Sequence, residues 1–281
     1  MTVSRRRFLA AASGAALPAF ARTLPVIGVQ LYTLRTVLPK NPAEVLGALE
    51  KLGYKECEAV GGGLDAIWPA LKATSLKPVS VHLDTALFTR QREKLGAALD
   101  NVVKRGFQYA VCPYIAPADR GGADVIKKLG ETLNQAGKIC KQSGIALCYH
   151  NHAFEFEPVG GKTLLDILME TTDPKLVSLE LDIMWAQVGG PGPVKILQKY
   201  GKRTPLIHLK NVSAGIGPQY NEKVPREAFK DVGNGAIDIP AVLRAAAKAG
   251  VKHYFVEQDQ TPGDPLAALK LSYDYLSKLK Y

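Results

Sequence analysis

The sequence predicts a single (β/α)8 barrel, on three observations. From Pro25 onward, short apolar β-rich runs alternate with amphipathic stretches eight times. Strands that are apolar nearly throughout and separated by helices imply a parallel sheet covered on its outer face. Residues 22–281 match the roughly 250 residues such a barrel takes, with no clear boundary inside them. The rival architecture, a doubly wound open sheet, lacks its usual support because no G-x-G-x-x-G follows the first strand.

Taken in order, the chain opens with Ser4-Arg5-Arg6-Arg7-Phe8-Leu9, runs through an Ala/Gly-rich stretch and reaches Ala19-Phe20-Ala21. Residues 1–21 read as a twin-arginine export signal with an Ala-x-Ala cleavage site, which places the mature domain, residues 22–281, in the periplasm. The apolar stretch between Phe8 and Phe20 is too short to span a bilayer, and no later segment has the roughly 18 uninterrupted apolar residues needed. Strands are expected over 26–33, 55–60, 78–83, 109–114, 146–152, 176–182, 205–211 and 254–258. Helices are expected over 43–52, 64–75, 90–105, 122–143, 162–171, 192–200, 239–249 and 264–279. Gly53, Gly106, Gly144, Gly201 and Gly250 each close a helix just before the next strand, where a left-handed residue is wanted. The Gly/Pro-rich segment 212–235 is the longest irregular connection. It follows the seventh strand and reads as an active-site loop.

Composition narrows the function. Hydrophobic residues make up 47% of the chain, enough for a sizeable core. Three arginines of the +10 net charge sit in the export signal, and the remaining Lys and Arg are scattered over helix faces. No basic stripe with interleaved aromatics is present, which argues against nucleic acid as a partner. Cys57, Cys112, Cys140 and Cys148 have no C-x-x-C spacing and read as buried free thiols rather than zinc ligands.

The informative residues lie at the strand ends. Gln30 and Tyr32 end the first strand, Glu56 and Glu58 lie in the second, and His82 ends the third. His150, Asn151 and His152 end the fifth, Glu180 and Asp182 the sixth, His208 and Lys210 the seventh, and Glu257 and Asp259 the eighth. Four of the 5 histidines are in this set. Strand alternation puts His150 with His152, Glu180 with Asp182, His208 with Lys210 and Glu257 with Asp259 on shared faces. Imidazoles and carboxylates converging on one rim make a site for one divalent cation: Mn2+, Mg2+, Co2+ or Zn2+. Asp182, His208 and Glu257, from three consecutive strands, are the expected ligands. Tyr32, Glu58, Trp185 and Lys210 are candidates for binding substrate. His82, His150, His152 and Glu257 are candidates for moving protons, although His82 can equally be a satisfied core histidine.

Gly28-Val29-Gln30-Leu31-Tyr32-Thr33-Leu34-Arg35, Tyr149-His150-Asn151-His152-Ala153-Phe154-Glu155-Phe156, Asp182-Ile183-Met184-Trp185, His208-Leu209-Lys210 and Phe255-Val256-Glu257-Gln258-Asp259 resemble the sugar phosphate isomerase/epimerase family of xylose isomerase-like TIM barrels. The resemblance implies one divalent metal held by Glu, Asp, His and Glu from strands 5 to 8. Asp182, His208 and Glu257 take the last three places. Where relatives have Glu-Asn-His, this chain has His150-Asn151-His152, so either His150 fills the first place or Glu155 reaches back from the loop. A third carboxylate suits Mn2+ or Mg2+ better, which favours Glu155. The implied activity is isomerisation or epimerisation of a sugar or keto-sugar through proton abstraction and an enediolate. A lyase or dehydratase acting on a 3-keto glycoside begins with the same step. A metal-dependent hydrolase and a non-catalytic sugar-binding barrel are the rival readings, and a homodimer is compatible with the moderately apolar helix surface.

Overall fold

The computed structural model describes residues 22–281, so the export signal read over residues 1–21 lies outside the described residues. Eight strands close into a barrel: β1 (Gly28–Gln30), β2 (Glu56–Val60), β3 (Lys77–His82), β4 (Tyr109–Cys112), β5 (Ala146–His150), β6 (Val177–Asp182), β7 (Leu206–Leu209) and β8 (His253–Val256). Every neighbouring pair is parallel, and β8 pairs back onto β1. The covering helices are α1 (Pro42–Leu52), α2 (Leu64–Lys72), α3 (Leu95–Lys104), α4 (Ala123–Gln142), α5 (Leu164–Thr171), α6 (Pro193–Tyr200), α7 (Ile239–Ala249) and α8 (Pro265–Lys278). No helix among the described residues is long and apolar enough to cross a membrane.

Local chemistry sets the element ends. Pro42 opens α1 with its fixed φ, and Gly53 closes it at φ 110, in the left-handed region. Thr163 and Asp166 form a reciprocal capping box at the start of α5. Asp238 and Asp264 cap α7 and α8 by accepting from the amides of Ala241 and Leu266. The first strand is shorter than the predicted 26–33. The Gln30 side chain accepts from the Tyr32 amide at 2.9 Å, and the chain turns there into a 3-10 helix over Leu31–Leu34.

Two apolar layers hold the barrel. The outer one joins strands to helices; α4, for example, buries Ile126, Leu133, Ala136 and Cys140 along one stripe. Fully burying each large aliphatic side chain there contributes about 1.5–3 kcal/mol. The inner one, formed by Val79, Tyr109, Val111, Cys148, Leu206 and Phe255, fills the barrel interior. Its packing requires a glycine at position 28, where a Cβ would come within 2.6 Å of the Phe255 ring. The four cysteines are free and buried.

Candidate active site at the C-terminal rim

The polar residues of the strand ends form two tiers above the inner apolar layer. In the upper tier, register places Asp182 of β6 beside His208 of β7. Asp182 also caps the short helix Ile183–Val188: its Oδ1 accepts from the amides of Met184 (2.9 Å) and Trp185 (3.0 Å), which fixes the carboxylate and turns Oδ2 toward Lys210. The Asn151 side chain accepts from the Asp182 amide at 3.1 Å, tying the end of β5 to the end of β6. Glu257 Oε2 lies 2.7 Å from His208 Nδ1. Lys210 Nζ stands 2.9 Å from Asp182, 2.7 Å from Glu257 and 2.8 Å from Asp259.

The lower tier centres on two fully buried carboxylates, Glu58 and Glu180. Glu58 accepts from Gln30 Nε2 at 2.7 Å and from Ser80 Oγ, and it lies 2.6 Å from His208 Nε2 and 2.9 Å from His82 Nε2. His82 Nε2 is also 2.8 Å from Glu180 Oε2, which lies 3.2 Å from His150 Nδ1. A cavity of about 570 Å³ opens above both tiers, with His82, His150, His152, Lys210 and Glu257 at its base and Tyr32, Tyr114 and Trp185 on its walls. The loop after β7 contributes Glu222 and Phe229 to that lining, as expected for the 212–235 segment.

Burial and charge set the protonation states. Burial pushes His152 well below the usual imidazole range, and the Lys210 ammonium adds to this, so its ring is neutral. Burial and the neighbouring His208 do the same to His150. Burial opposes charge on Glu257, but Lys210 and His208 outweigh it and hold the carboxyl ionised. For His82, burial is outweighed by Glu58 and Glu180, which raise it to about 9.

Seven of the residues expected at the site line the cavity: Tyr32, His82, His150, His152, Trp185, Lys210 and Glu257. Asp182 and His208 lie beneath its floor, grouped with Glu257. Two expectations need correction. Glu155 does not reach the metal group: its carboxylate accepts from Tyr149 OH at 2.6 Å and from the His152 amide at 2.9 Å, inside the 3-10 turn Phe154–Phe156. Glu58 does not face substrate, because it is fully buried and its oxygens are taken by Gln30, Ser80, His82 and His208. Trp185 lies along the wall with one face against His152, ring centres 5.6 Å apart. Sequence reasoning did not assign Glu180 and Asp259, although each is two residues from an assigned carboxylate on the same strand face.

The upper tier fits a divalent ion. Asp182 Oδ2, His208 Nδ1 and Glu257 Oε2 are all buried and make no well-formed hydrogen bond among the described residues, although Lys210 Nζ is close to both carboxylates. Three carboxylates stand around the Lys210 ammonium there, and a bound cation would help to balance their charge. Two carboxylates and one imidazole suit a hard-to-borderline metal.

Comparison with known proteins agrees with this architecture. The family model described as xylose isomerase-like TIM barrel matches residues 48–279. Inosose dehydratase from Geobacillus kaustophilus is 29% identical over 163 residues, covering 54% of this chain and 52% of its own length. Inosose dehydratase 2 from Bacillus cereus is 32% identical over 151 residues, covering 50% and 49%. The chain thus spans about half the length of the curated relatives it matches. A sugar phosphate isomerase/epimerase from Parabacteroides distasonis superimposes with a TM-score of 0.76 at 25% identity, over 90% of this chain and 98% of that one.

Proposed function

Because the chain belongs to the xylose isomerase-like TIM-barrel family, we propose that it removes the proton beside the carbonyl of a keto-sugar or related cyclic polyol ketone and completes a β-elimination, as a metal-dependent lyase. The observation that carries this reading is a neutral, unpaired imidazole facing a charged cluster. His152 Nδ1 is buried without a hydrogen-bond partner among the described residues, its ring packs against Tyr114 and Trp185, and it lines the same cavity as Lys210 and Glu257. A neutral imidazole is the form that accepts a proton.

Asp182, His208 and Glu257 would hold the divalent ion, which supplies Lewis acidity toward the substrate's carbonyl oxygen. Lys210, pinned by three carboxylates, places a fixed ammonium beside the position where negative charge develops. His152 takes the α-proton, and the resulting imidazolium returns it to the β-oxygen as that group leaves as water. The C–H and C–O bonds break, a C=C bond forms beside the carbonyl, and the base ends as it began. Tyr32 and Trp185 supply apolar walls for a sugar ring.

The half-length similarity to proteins named inosose dehydratase supports elimination. A second reading, re-protonation at carbon to give an isomer or epimer, is supported by the resemblance to the Parabacteroides distasonis protein and would use Glu257 on the opposing side. Incubating keto-sugars in D2O with the metal-loaded protein tests both readings. The expected result is loss of a carbon-bound proton signal with growth of the ultraviolet band of an unsaturated ketone. Exchange without that band would favour the second reading, and no exchange over a broad panel would refute both. His152→Gln is expected to slow exchange by roughly 10²–10⁴-fold. We further propose that the export signal delivers the folded, metal-loaded domain to the periplasm, where a free keto-sugar or keto-glycoside is the accessible substrate.

A further inference from the structure

We propose that the lower tier is a second metal site, in which His82 Nε2, His150 Nδ1 and Glu180 Oε2 bind a borderline ion such as Zn2+ or Co2+. His82 and Glu180 tell the two sites apart, whereas His150 borders both, its Nε2 lying 3.6 Å from Asp182 Oδ2 of the upper group. The proposal rests on the proposed function only in taking the barrel mouth as a place where divalent ions bind.

The donors come from β3, β5 and β6 and already converge. Glu180 Oε2 is 2.8 Å from His82 Nε2 and 3.2 Å from His150 Nδ1, and with His208, whose Nε2 is 3.4 Å from Glu180, these residues form one tight group of potential ligands. His150 Nδ1 and Glu180 Oε1 are buried with no hydrogen-bond partner among the described residues. His150 is only 3% exposed and Glu180 fully buried, so water does not supply the missing partners from bulk. The apolar layer of Val79, Cys148 and Phe255 carries no polar side-chain group but the free Cys148 thiol, and Glu180 Oε1 has no hydrogen-bond partner among the described residues.

Charge is compatible with an ion there. Glu58 and Glu180 are both fully buried, and their ion-pair partners among the described residues are histidines alone. The upper carboxylates, by contrast, have Lys210. Two carboxylates at this depth require positive charge nearby, which the flanking histidines or a bound cation can supply. Glu58 cannot serve as a primary ligand, because Gln30 and Ser80 already hold its oxygens. It is placed to orient His208 instead, accepting from Nε2 and so turning the Nδ1 lone pair toward the upper ion. Two imidazoles with one carboxylate favour Zn2+ or Co2+, whereas the oxygen-rich upper site favours Mn2+ or Mg2+.

Metal stoichiometry tests this. Full-length protein is stripped with chelator, loaded with excess Co2+, desalted and analysed for cobalt per chain, with circular dichroism confirming the fold of each variant. The wild type is expected to hold two equivalents, and His82→Gln, Glu180→Gln and Asp182→Asn one each. A visible cobalt absorption from the nitrogen-rich site is expected to vanish in His82→Gln and persist in Asp182→Asn. One wild-type equivalent, lost in His82→Gln and kept in Asp182→Asn, would uphold the lower site and overturn the upper one. One wild-type equivalent, lost in Asp182→Asn and kept in both His82→Gln and Glu180→Gln, would overturn the lower site. Two equivalents in His82→Gln, or none in the wild type, would also overturn it.

Discussion

At the scale of single residues, Asp182 divides its two oxygens between structure and chemistry. Oδ1 caps the helix after β6, and Oδ2 faces Lys210 and the proposed cation position. Asparagine caps about as well as aspartate, and alanine does not. Asp182→Asn and Asp182→Ala should therefore both lose metal at the upper site, while the alanine variant alone loses the cap. Urea unfolding of the metal-free proteins should show it less stable than the asparagine variant by about 0.5–2 kcal/mol. Glu155 allows a second separation. Burial raises its carboxyl to about 8, from an ordinary value of 4.5. The folded state therefore holds a proton that the unfolded chain has released between those values, so stability falls as pH rises through that window. Glu155→Gln should flatten this part of the stability–pH curve, measured by thermal unfolding from pH 4.5 to 8.5. An unchanged slope would show that Glu155 is ionised in the fold.

At the scale of elements, the loop after β7 is part of the site because it is anchored at both ends. Asn211 Oδ1 accepts from the amides of Val212 and Ile237, and the short strands Asn211–Val212 and Phe229–Lys230 pair antiparallel. Gly235 packs against this anchor, and a Cβ there would collide with Asn211 Oδ1 and come within 2.7 Å of the Val212 carbonyl. Gly235→Ala should cost about 1–3 kcal/mol, the usual range for an overpacked position. It should also raise KM more than it lowers kcat, since the loop carries Phe229 into the cavity wall. The eight strand–helix units themselves were legible in the sequence, because apolar and amphipathic runs alternate and several helices end on a glycine before the next strand, as at Gly53 and Gly250. What the pattern could not show was where a side chain outside a regular element turns. Glu155 lies three residues beyond His152 and looks able to reach back to the rim, yet the 3-10 turn directs it onto Tyr149. Glu58 lies within β2, where alternation gives its face; the depth that hides it from the cavity follows from how the strands stagger on closing, which the sequence does not specify.

At the scale of the whole molecule, closure of the barrel turns separate strand ends into a shared site. Glu58 and His208 are 150 residues apart in the chain and within 2.6 Å in the fold. The apolar plug beneath and the open cavity above allow charged groups to be buried at the base while substrate enters from one side. Asp182, His208 and Glu257 could be singled out in advance because consecutive strands of a parallel barrel are also neighbours in space. The central claim is that a metal-loaded cluster at this mouth removes a carbon-bound proton next to a carbonyl. The most direct measurement is proton NMR of keto-sugars in D2O with the metal-loaded protein, run beside its chelator-stripped form. The account predicts solvent deuterium replacing one C–H next to the carbonyl with the loaded protein alone. Equal exchange by the stripped protein, or none by either across the panel, would contradict it.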